Sequence, residues 1–200
     1  MQGYVRLGQS RASGRHAMIL ARWRARRASL TLVDELRAEI VAAARRAPLY
    51  ETLDAPDRVD GRFELLILHA GLVLRRLVAA GGLGHDLAQD LVNILFMHFD
   101  DTLREMALSD VAVARRLKAM RKAFYGRSAA YAAALDSNSP AVLEAALARN
   151  VYGLGRDKTP KAAALAAYVC SIDAALAATP LDIFLTGRFR YPEGPIVSGG

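Results

Sequence analysis

The chain has 200 residues, is rich in Ala, Leu and Arg, and has 7% aromatic residues; it is long enough to bury a core and too poor in β-branched runs for a sheet, so the expected fold is all-α. Its formal charge is +7, yet residues 1–33 contain Arg6, Arg11, Arg15, Arg22, Arg24, Arg26 and Arg27 and no acid, which leaves 20 basic residues against 20 acidic ones in the body. A neutral body excludes the single basic face of a dedicated nucleic-acid domain, and one cysteine, Cys170, excludes an intrachain disulfide and a multi-thiolate metal site.

The pattern divides into a basic tail at 1–29, a single compact domain of about six to seven helices at 30–187, and a Gly/Pro-rich C-terminal tail at 188–200. Before Met18 the tail has little apolar periodicity and is expected to be disordered. From Met18 to Leu30 it suits a short basic amphipathic helix with Ile19 and Trp23 one turn apart. No apolar run follows the arginines, so a secretory signal is not expected. The Arg-rich, acid-free start resembles a mitochondrial presequence, and Met18 offers an alternative start; both remain open on sequence alone.

The first strong helix is predicted from near Thr31, three residues before Asp34 in a capping-box-like arrangement, to just before Pro48. The next runs from about Asp60 to Ala80, stopped by Gly81 and Gly82, and is apolar around most of its circumference. Its most apolar stretch, Leu65–Leu74, contains His69, is followed by Arg75 and Arg76, and falls far short of the roughly 20 residues that span a bilayer. No transmembrane helix is expected. A third helix, about Asp86 to Met106, puts Leu91, Leu95, Phe99 and Met106 on one flank and His98, Asp101 and Glu105 on another. Asp110 is placed to cap a fourth, Val111 to Leu135. Ser139–Pro140, Thr159–Pro160 and Thr179–Pro180 then repeat a start signal, a capping hydroxyl before a proline whose missing N–H is harmless, for three more helices, the last short.

Catalytic and metal constellations are sparse. A ferritin-like site needs Glu-x-x-His on two helices, but three residues after Glu64, Glu105 and Glu144 stand Ile67, Leu108 and Leu147. His98, Asp101 and Glu105 share a helix face that reads as a solvated surface, with Arg104 three residues from Asp101 as its charge partner. There is no nucleophile elbow, Walker loop or dinucleotide fingerprint, and Gly153, Gly155 and Lys158 have the wrong spacing for a phosphate loop. Cys170 and His69, each among apolar neighbours, read as core residues, the histidine hydrogen-bonded there. Phe124 and Tyr125, midway along a helix, read more as core than as a stacking platform. A non-enzyme is expected, with no cofactor, no metal and no small-molecule substrate.

GRFELLILH at Gly61–His69, LREM at Leu103–Met106 followed by Asp110, AFYGR at Ala123–Arg127, RNVYG at Arg149–Gly153 and the preceding ARRAPLYETLDAPD at 44–57 resemble, in that order, the ubiquinol-cytochrome c chaperone family. The resemblance covers roughly residues 31–155. It implies a helical chaperone that binds newly made cytochrome b and promotes biogenesis of respiratory complex III. In mitochondrial members it also implies a partner subunit and contact with the ribosome. The compact, Arg/Ala-heavy chain looks bacterial, which implies a cytoplasmic location peripheral to the inner membrane; a eukaryotic member would sit on the matrix face. Phe63, Glu64, His69, Asp101, Arg104, Glu105, Phe124, Tyr125 and Arg127 are the candidates for a client surface. Glu64, Asp101, Arg104, Glu105 and Arg127 either line that surface or lock helices together. The alternative is a helical module that binds RNA or an anionic membrane through the tail.

Overall fold

The computed structural model describes residues 30–137, 139–153 and 160–195; the expectations for the tail 1–29, for the Thr159 cap and for Gly155 and Lys158 lie outside them. In chain order α1 spans residues 30–44, α2 Ala47–Glu51, α3 Val59–Ala80, α4 Gly82–Glu105, α5 Asp110–Asp136, α6 Pro140–Asn150, α7 Pro160–Ala178 and α8 Leu181–Leu185. No strand occurs among the described residues. The fold is all-α, as composition implies.

α3 is the spine, packing against α4, α5 and α7, while α6 joins α5 and α7. Its apolar residues reach around the helix because neighbours surround it: Leu65, Ile67, Leu68, Val73 and Leu77 are all buried. The joint between α3 and α4 is tighter than the two glycines suggested. Gly81, at φ 63°, ends α3 and also stands before α4, so α4 starts at Gly82 rather than near Asp86. Gly84 then lets the helices touch, since a Cβ there would lie 2.5 Å from the Leu77 carbonyl oxygen. Gly81 thus stops α3 as read, and Gly84 is the point where the two helices touch.

Capping also differs in detail. Ser109, not Asp110, caps α5, its Oγ accepting from the Ala112 N–H at 3.4 Å. Pro140 opens α6 as expected, but Ser139 makes no capping bond. Thr179 Oγ1 donates backwards to the Ala175 carbonyl at 2.9 Å, and Pro180 itself occupies the N-cap of α8. A hydroxyl at a helix end can bond the preceding turn instead of the next one.

α7 buries Leu165, Tyr168, Val169, Ile172 and Leu176. Cys170 stands two residues from both Tyr168 and Ile172, on the far side of the helix, and is exposed, contrary to the expected burial. The stretch Lys161–Ala178 is long and apolar enough to cross a membrane by length and composition, again contrary to expectation, with 39% of it buried inside the protein. The difference arises from alanines: Ala163, Ala167, Ala174 and Ala175 make the outer side apolar. They contribute little to a pattern read from large side chains.

Packing runs on beyond Gly187. Phe189 and Tyr191 are each 3% exposed, Phe189 stacks on Phe184 with centroids 4.5 Å apart, and α1 and its end hold the backbone. Arg46 donates to the carbonyls of Pro192 at 2.7 Å and Tyr191 at 3.0 Å, while the Tyr191 N–H donates to Glu39 Oε2 at 3.0 Å.

Candidate functional site

The nine candidate residues separate into distinct environments. Phe63 of α3, Phe96 and Phe99 of α4, and Phe124 and Tyr125 of α5 form a chain of edge-on rings with successive centroids 5.4–5.6 Å apart. Such T-shaped contacts fix the mutual rotation of the three helices. Phe124 is buried within this chain, whereas the Tyr125 ring is half exposed at its end.

His69 lies fully inside. Its Nδ1 meets the Leu65 carbonyl at 2.7 Å and its Nε2 meets the Tyr168 hydroxyl at 2.9 Å. The carbonyl can only accept, so Nδ1 carries the proton and Nε2 accepts from the tyrosine. Burial is the main cause that pushes the imidazole down to about 4, keeping it neutral. Tyr191 donates its hydroxyl to the His69 carbonyl at 3.3 Å. His69 thus clamps α3, α7 and the chain's C-terminal stretch, and offers no surface to a client in this conformation.

Glu64 and Arg127 tie α3 to α5 at 2.8 Å. The glutamate side chain is only 9% exposed, the arginine 29%. Glu64 Oε1 has the guanidinium, but its buried Oε2 has no hydrogen-bond partner among the described residues. Desolvation, only partly offset by Arg127, pushes the carboxyl up to about 7. This pair locks helices together.

Asp101, Arg104 and Glu105 are exposed near the end of α4. Arg104 does not pair with Asp101. It reaches Asp100 and Asp110, each at 2.8 Å, because the i−4 position and the start of α5 both lie within the reach of its fork. His98 turns away to Asp34 of α1 at 3.4 Å. No group of three His, Cys, Asp or Glu side chains placed to hold a metal ion occurs among the described residues.

A groove of about 720 Å³ lies between α3, α4, α5 and the end of α7. The sequence reading did not single it out. Leu74, Val78, Ala88, Val92, Ala129 and Ala132 give it mainly carbon walls, with Tyr125 on one side. Arg75 marks its charged end, bridging Asp136 of α5 at 2.7 Å and Asp173 of α7 at 3.2 Å. Inside, Ser128 Oγ is buried with no hydrogen-bond partner among the described residues. The signal was present as small residues, Gly71 on α3 and Ser128, Ala129 and Ala132 on α5, which leave space between helices instead of filling it. Arg76, His85 and Gln89 also border it, but its exposed lining is mainly carbon, and a groove of this kind is suited to shape-based binding.

The described residues thus make an all-helical protein with one mainly apolar groove between its helices. Compared with protein families, the chain matches the one described as ubiquinol-cytochrome C chaperone over residues 51–191. Among solved structures it is similar to the crystal structure of the Cbp3 homolog from Brucella abortus, with 34% identity and a TM-score of 0.78, over 88% of this chain and 97% of that one. No curated protein sequence matches. The chain belongs to the ubiquinol-cytochrome c chaperone family, a chaperone for the assembly of ubiquinol-cytochrome c reductase, respiratory complex III.

Proposed function

We propose that the chain acts without catalysis by holding newly made cytochrome b, with an apolar helix of that client lying in the groove between α3, α4 and α5. The groove's mainly carbon lining carries this reading. Before its haems and partner subunits are in place, a membrane subunit exposes apolar helices that aggregate in water, and helix-in-groove burial is the direct remedy. Family membership supports a client from complex III, and we place the work at the cytoplasmic side of the inner membrane, where such a client inserts.

A photo-crosslinker at Tyr125, half exposed on the groove wall, is expected to capture cytochrome b. Ala129→Trp, which fills the groove from an exposed position, is expected to abolish that capture and lower assembled complex III while leaving the melting temperature unchanged. Undiminished capture by a folded Ala129→Trp protein refutes the groove, and normal complex III in a deletion strain refutes the function.

A further inference from the structure

The net neutrality of the body conceals a segregation of charge. Residues 111–135, most of α5, contain Arg115, Arg116, Lys118, Arg121, Lys122 and Arg127 and no acid. We propose that the outward face of α5 docks the protein on an anionic phospholipid surface.

The spacing selects the face. Val113, Phe124, Tyr131 and Ala134 point α5 into the protein, and on the opposite side Val111, Arg115, Lys118 and Lys122 follow at intervals of four, three and four residues, all exposed. Arg116 is exposed on the flank. No carboxylate among the described residues pairs with Arg115, Arg116, Lys118 or Lys122, unlike Arg75, Arg104 and Arg127. Arg121 lies over the Phe96 ring at 4.3 Å. The nearest acid along the helix, Asp110, is taken by Arg104, while Asp101 and Glu105 belong to α4. Arg115, Lys118 and Lys122 thus form one stripe, extending over about 16 Å from Val111 to Lys122 at 1.5 Å per residue, with Arg116 on a separate side of the helix.

Apolar side chains accompany the charge. Met106 and Leu108, in the turn before α5, are 59% and 37% exposed, and Val111 at the head of the stripe is 81% exposed. Cations beside protruding aliphatic side chains suit a lipid interface, where the charges meet headgroup phosphates and the aliphatic groups enter the acyl boundary. RNA is the poorer fit. Single-stranded RNA calls for several rings to stack on successive bases, and the stripe offers one, Tyr125, three residues beyond Lys122 and held edge-on to Phe124, against three exposed aliphatic side chains at its head.

The stripe also leads somewhere. Beyond Lys122 the same helix becomes the groove wall at Tyr125 and Ala129, so lipid docking would hold the groove mouth against the membrane. That consequence, though not the docking itself, rests on the proposed client site.

The test uses the full chain and vesicles of phosphatidylglycerol with phosphatidylcholine, against phosphatidylcholine alone, in a flotation assay without client. The seven tail arginines are a second cationic element, so Arg115→Gln/Lys118→Gln/Lys122→Gln is compared with a variant carrying glutamine at those tail positions. The wild type is expected to float only with anionic vesicles. The α5 triple variant is expected to lose about 100-fold in partition, at about fivefold per basic residue, with an unchanged thermal melt. Vesicle binding by the triple variant equal to the wild type overturns the proposal and assigns anion binding to the tail. Loss of affinity for a single-stranded RNA oligonucleotide with vesicle binding unaffected overturns it in favour of RNA. Because no client is present, failure here is distinct from failure of the groove to capture cytochrome b.

Discussion

Replacing Glu64 with Gln is expected to stabilise this protein, by an amount that grows as pH rises above about 4.5 and is nearly complete by neutrality. Burial raises the carboxyl from 4.5 to about 7 despite the Arg127 guanidinium 2.8 Å away. The folded state therefore binds this proton more tightly than the unfolded chain, so stability falls as pH rises from about 4.5 through 7. At roughly 1.36 kcal/mol per pK unit, the full cost of ionising Glu64 in the folded state is about 3 kcal/mol. Glutamine mimics the protonated acid, and Arg127, 29% exposed, keeps access to water. Wild type and Glu64→Gln should be equally stable near pH 4.5, and by pH 8 the variant should be ahead by up to about 3 kcal/mol. For a chain of this size that corresponds to roughly 6–12 °C in melting temperature. Calorimetry of both proteins across this range reads the difference, in which every other titrating group cancels. A variant less stable than the wild type at pH 8, or a gap independent of pH, would refute the reasoning and make the ion pair a net contributor.

In the Glu64→Gln background the opposing slope of Glu64 is gone and His69 should dominate above about pH 5: its folded value is about 4 against 6.5 unfolded, so stability should fall, by up to about 3 kcal/mol in all, as pH drops from about 6.5 towards 4, seen as a declining urea midpoint. Tyr191→Ala removes a buried ring, the hydroxyl's bond to the His69 carbonyl and a contact beside Arg46. It should cost roughly 3–5 kcal/mol and expose the last residues to limited proteolysis, whereas Glu193→Ala at the exposed neighbouring position should change neither.

The helical fold was legible because large apolar residues recur along α3, α4 and α7 at helical spacing, and prolines mark the starts of α6 and α8. His69 read correctly as a hydrogen-bonded core residue, since its neighbours Leu65, Leu68 and Leu72 are all buried. The functional surface was harder to read. Pattern analysis follows what large side chains fill, and the groove arises where Gly71, Ser128 and Ala129 decline to fill space. Net charge hid the α5 stripe in a similar way, because the acids that balance it lie on other helices. Phe124 and Tyr125 are adjacent in sequence, yet a turn of about 100° per residue puts one inside the core and the other on the groove wall.

The grip of α1 and the loop before α2 on Tyr191 has a consequence for synthesis. Glu39 and its bond to the Tyr191 backbone are separated by 152 residues, and at about 5–20 residues per second a ribosome needs roughly 8–30 s to make the second after the first. Throughout that interval the apolar side of α1, with Val33, Leu36 and Ile40, lacks part of what finally encloses it. The domain closes only after its distal aromatic residues leave the exit tunnel, and a chain interrupted short of Phe189 leaves α1 without that closure.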